Sequence, residues 1–136
     1  MLDKILVPVL FLGAQFMIVW YADFTGKLAS KGTYLGIAYD SAFARALVTQ
    51  FEYLWVLIII NMFFSLAFHI GFSSYKDYLI IAGIWMASAP IATLIYNTIF
   101  LKEKIDAILI VGIILVTLGA LAVIAHKDIA KMFNIG

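Results

Sequence analysis

The sequence predicts an all-α integral membrane protein, four transmembrane helices packed as an antiparallel bundle. Three observations lead there. The 136 residues are 65% hydrophobic and only 12% charged, with a mean hydropathy of +1.09, whereas soluble domains run near half apolar and a quarter charged. A chain this short buries too small a fraction of its surface to hide that much apolar area from water. Four stretches without Asp, Glu, Lys or Arg each approach or reach the length a helix needs to cross a bilayer, about 20 residues. These runs lack the alternating pattern of membrane strands, and backbone left unpaired in hydrocarbon is costly, so each is predicted to be helical.

The first span is predicted over Ile5–Ala22. Lys4 before an apolar core also resembles the start of a signal peptide, but the run is long for one and no small-x-small cleavage site follows. Trp20 and Tyr21 mark its far interface. Residues 23–52 are expected to form a long first loop. Its first part, with Gly26, Lys27, Lys31 and Gly32, reads as irregular, and Tyr39–Glu52 is helix-compatible, with Asp40 or Ser41 as cap. That helix either lies in the membrane interface or extends the second span outward.

The second span is predicted over Tyr53–Phe72, the third over Tyr78–Leu101 and the fourth over Ala107–Ala125, joined by tight turns at Ser73–Asp77 and Lys102–Asp106. Asn61, Ser65 and His69 recur every four residues, and Gln50 lies three turns earlier if the helix is continuous. Such a stripe avoids lipid: it lines a polar path or makes interhelical hydrogen bonds. On the third span Gly83, Met86, Pro90, Thr93 and Asn97 share a face. Pro90 lacks an amide hydrogen and crowds the Met86 carbonyl, so a kink is expected, with Ser88 available to the freed backbone. Asn61, Ser65, His69, Pro90, Thr93 and Asn97 are therefore the candidate substrate path. On the fourth span Gly112, Gly119 and Ala122 leave little bulk, which suits a dimer seam or a contact with the chain's own helices. Glu103 and Asp106 face the positive end of the last helix, a structural role. The Lys76–Asp77 and Lys127–Asp128 neighbours read as solvated charges.

The segment from Ala87 onward resembles the last helix pair of the drug/metabolite transporter superfamily, with its EamA-like and small multidrug resistance branches. The features that carry the resemblance are the small-residue and proline segment Ala87–Pro90, the span end Phe100-Leu101-Lys102-Glu103, and a final span punctuated by Gly112 and Gly119. Roughly 40 residues are involved. The resemblance implies a four-helix unit that pairs with another into a pseudo-symmetric transporter or flippase. Two departures weaken proton-coupled export: the first span carries Gln15 and no acid, and the first loop is long where the family's is short.

The expected function is therefore a small transporter-like protein of that superfamily. It would act as a homodimer, or as a heterodimer with a similar four-helix protein, on a small metabolite or lipid-linked substrate. The alternative is a non-transporting membrane scaffold, for which residues 23–52 would supply a docking surface. No catalytic residue, metal or cofactor is expected, since HExxH, CxxC, P-loop and GxSxG motifs are absent. The net charge of +1 leaves no basic face for nucleic acid. With four spans both termini share a side with the Ser73–Asp77 turn. Four basic residues on that side face five on the other, a weak lean to cytoplasmic termini in a cell inner or plasma membrane.

Overall fold

The computed structural model describes residues 2–133. The all-α class holds: four helices are long and apolar enough to cross a bilayer, which marks a multi-pass membrane protein. The first, α1 (Leu2–Gly26), runs one turn beyond its predicted end. It includes Asp23 because that carboxylate is met one turn on by Lys27 at 2.7 Å and across the bundle by the Tyr96 hydroxyl at 2.9 Å.

The predicted long first loop is not present. Lys31–Tyr34 (β1) and Ile37–Asp40 (β2) form an antiparallel hairpin, with Lys31 opposite Asp40 and Tyr34 opposite Ile37. Leu35 and Gly36 make the two-residue turn, both at positive φ (50° and 82°), as a type I′ turn requires. Helix α2 (Ala42–Glu52) follows, capped by Ser41, whose Oγ accepts from the Ala44 amide at 3.1 Å. Most residues between Gly26 and Leu54 thus belong to an element, and the hairpin pairs the facing backbone groups of its two strands.

Helix α3 (Leu54–Tyr75) does not continue α2. Tyr53 leaves helical geometry (φ −111°, ψ 23°), so Gln50 falls out of register with Asn61 and the predicted four-residue stripe loses its first member. Lys76 turns left-handed at φ 53° to end α3. Asp77 then caps α4 (Tyr78–Tyr96), accepting from the Leu79 amide at 2.9 Å. Pro90 leaves α4 unbroken as a helix. Ser88 donates to the Trp85 carbonyl at 2.6 Å, not to the Met86 carbonyl that Pro90 leaves without its usual donor. The end of the span widens into a π-helical segment, Asn97–Leu101, closed by Lys102 at φ 52°. Asp106 caps α5 (Ala107–Ile124), and a short α6 (His126–Met132) follows.

Helix α1 is central. It packs along both α3 and α4, while α5 packs chiefly on α4. The core lies between α1, α3 and α4: Val7, Leu10 and Phe11 meet Ala67 and Ile81. Phe11 makes an edge contact with Phe68, ring centres 5.1 Å apart. Two glycines set helix spacing. A methyl on Gly71 would press Ile81, and one on Gly83 would reach within 3.2 Å of the Ala120 carbonyl and collide with Ile124.

Both ends of the bundle carry polar ties. At the N-terminal end of α1 the Tyr75 hydroxyl donates to the Lys4 carbonyl at 2.9 Å. Pro8, four residues on, has no amide hydrogen to offer that carbonyl. At the opposite end, Trp20 stacks on Phe24, and Tyr53 packs against Tyr21 and Phe24. This aromatic cluster, predicted in part from Trp20 and Tyr21, sits where rings favour the headgroup level.

Candidate functional site

A groove opens sideways on α3 and α1, with a volume of about 560 Å³. Its walls are apolar, from Leu10 and from Ile59, Met62, Phe63 and Leu66. Its polar groups are Ser65 and His69, one turn apart. Both side chains are exposed, and neither forms a hydrogen bond among the described residues. Asn61 lies on the same exposed side, but its amide donates to the Leu57 carbonyl of its own helix at 3.0 Å. In water this pattern would be unremarkable. On a span facing hydrocarbon it leaves a hydroxyl and an imidazole without partners, and such groups need a polar ligand, a water-filled path or a neighbouring protein.

The third-span residues lie elsewhere. Pro90, Thr93 and Asn97 line a smaller cleft of about 140 Å³ with Leu94 and, from α5, Leu109 and Ile113. Thr93 donates to the Ala89 carbonyl at 2.9 Å. Asn97 opens the π segment, and its carbonyl accepts from the Lys102 and Glu103 amides. The single path predicted from sequence is therefore two separate grooves within one copy, one on α1 and α3 and one on α4 and α5, with Asn61 in neither.

The fourth span gives a clear answer about its own small residues. Nothing lies within 4 Å of a methyl group placed on Gly112 or Gly119, and Ala122 is exposed. The chain's own helices do not use this stripe. Helix α5 meets α4 through Ala120 and Ile124 at Gly83, leaving nearly the whole span open.

Two charged features escaped the sequence reading. Asp77 is not solvated: its carboxylate is largely buried, bonds Lys127, and lies 3.9 Å from the His126 imidazole. The Lys127 ammonium, chiefly, holds its carboxyl below the usual carboxylate range, helped by the Leu79 amide. This tie fastens the start of α6, just past α5, to the start of α4. No spacing rule links residues fifty positions apart, so the sequence held no signal for it. The second feature is Arg45. It points inward beside a pocket of about 370 Å³ between the end of α1 and α2, hydrogen-bonded to the Tyr39 hydroxyl and 3.6 Å from Glu52. Among the described residues no three of His, Asp or Glu gather as metal ligands. No family model, curated protein or solved structure matches the chain.

Proposed function

We propose that this is a small four-span transporter-like protein of the drug/metabolite transporter type, moving a small metabolite or lipid-linked substrate as a dimer with itself or with a similar four-helix protein. The observation that carries the reading is the pair Ser65 and His69, polar, unpartnered among the described residues and open on the bilayer side of an otherwise apolar groove. A single copy encloses no cavity around them; a second copy facing α3 would. An amphiphile would lie with its apolar part along Leu66, Met62 and Ile59 and its polar part at His69. The open α5 face, with Gly112, Gly119 and Ala122 unoccupied, offers a second seam for close helix approach. We place the termini in the cytoplasm, on the balance of basic residues near the span ends.

Two measurements test this. Single-molecule photobleaching in liposomes should show two steps per particle; a uniform single step ends the paired model. Saturable uptake or lipid flipping should fall in Ser65→Ala and His69→Ala while the protein remains folded. A second reading, a non-transporting accessory subunit, draws on the folded segment 31–52 outside the spans. Stoichiometric co-purification of another membrane protein in mild detergent, without transport, would favour it.

A further inference from the structure

Helix α2 is inside out. Two of its polar residues face the protein, the Arg45 side chain 17% exposed and Thr49 only 4%, while Gln50 is exposed beside Phe43 at the edge of the outward face. Its large apolar residues face away, with Phe43 75% and Phe51 66% exposed and Leu47 between them. At 100° per residue Phe43, Leu47 and Phe51 fall on one face, while Arg45, Thr49 and Glu52 fall on the other. A helix washed by water presents the reverse. The surroundings of the Phe43, Leu47 and Phe51 face are therefore apolar.

We infer that the medium is lipid, and that α2 with its hairpin is seated in the bilayer interface at the end of the bundle opposite the termini. Four observations choose lipid over a protein partner. First, apolar exposure does not stop with α2: past the break at Tyr53, Leu54, Trp55 and Ile58 at the start of the α3 span are exposed too. Second, α2 leaves α3 at Tyr53, inside the ring cluster of Trp20, Tyr21 and Phe24 that marks headgroup level. Third, the charges nearby are matched within the chain, Lys27 with Asp23, Lys31 with Asp40 and Arg45 with Glu52, which leaves none of these ions unmatched on entering a poorer dielectric. Fourth, Leu35 occupies a left-handed turn position that Asn or Gly fills without strain, and its side chain is among the most exposed in the chain. A leucine there gains nothing from the protein; it gains from a lipid contact at the hairpin tip. The inference does not depend on the transport reading.

The native chain lacks cysteine, which allows site-directed spin labels on the full-length protein in liposomes. Labels at Phe43→Cys, Leu47→Cys, Phe51→Cys and Leu35→Cys are compared with Val9→Cys as a lipid reference and Glu103→Cys as an aqueous one. Collision rates with oxygen and with a water-soluble nickel chelate are read. Seating in lipid predicts an oxygen-to-nickel ratio several-fold above that of Glu103→Cys at all four positions, approaching that of Val9→Cys. A ratio equal to that of Glu103→Cys shows a water-exposed face and overturns the inference. Low collision with both reagents, with dipolar broadening between labels, shows a second copy on this face and overturns it equally. All six sites are exposed, so the labels are tolerated by the fold.

Discussion

Replacing Tyr75 by Phe removes one hydroxyl and tests why it is there. Pro8 cannot donate to the Lys4 carbonyl, and the Tyr75 hydroxyl does so from another helix at 2.9 Å. A hydrogen bond of this kind is worth about 1 kcal/mol net, and water has some access to this end of α1, so Tyr75→Phe should cost about 0.5–1.5 kcal/mol. The ring also lies under the Lys4 ammonium, 5.7 Å from its centre, and Phe keeps most of that contact. The discriminating step is a cycle with Pro8→Ala. That substitution restores an ordinary helical donor to the Lys4 carbonyl, so removing the hydroxyl should then cost only a few tenths of a kcal/mol. The coupling between the two substitutions should be about 0.5–1 kcal/mol. Reversible unfolding in mixed micelles, followed by far-ultraviolet circular dichroism, measures all four corners. If Tyr75→Phe costs the same in the native and the Pro8→Ala backgrounds, the hydroxyl does not serve the proline's vacant donor, and the reasoning fails.

Three further outcomes follow from the packing and charges. Gly83→Ala should destabilise the fold by about 1–3 kcal/mol, since its methyl meets Ile124 and the Ala120 carbonyl, whereas Gly119→Ala should be neutral or gain up to about 1 kcal/mol from helix propensity, with nothing near it to strike; thermal melts of the two in detergent make the comparison. Because Asp77 has its folded pKa lowered by Lys127, its contribution is complete above the unfolded value near 4 and is lost as pH falls through the lower folded value. Asp77→Asn should flatten that acid limb in stability measured between about pH 6 and pH 2. Leu35→Asn should raise the resistance of the hairpin to protease in detergent, where the lipid contact is gone, because Asn accepts left-handed φ at less cost.

The four spans were legible because solvation imposes them: a run of about 20 apolar residues has few structures available in hydrocarbon. Their ends were less so. Asp23 reads as a stop in isolation, but Lys27 and Tyr96 neutralise it and α1 runs on. Tyr53 is aromatic and helix-tolerant, so nothing in the residues announced the break that separates Gln50 from Asn61. The hairpin was missed because its turn is Leu35-Gly36, without the Asn or Asp that usually precedes Gly in such turns. The candidate site was half legible. Four-residue spacing does put Ser65 and His69 together. Which helix neighbours which is a tertiary matter, and only the order α3, α1, α4, α5 explains why Asn97 lies in another groove.

The sparse seating of the fourth span has a consequence for how the molecule is made. The first three spans already form the aromatic and aliphatic centre around Phe11, so a nascent chain halted after Leu101 would hold a nearly finished fold. The last span arrives afterwards, guided by a notch at Gly83 and fastened by the carboxylate that waits at residue 77. With the least of its surface held by the rest of the chain, it should be the first span to detach when the protein is stressed.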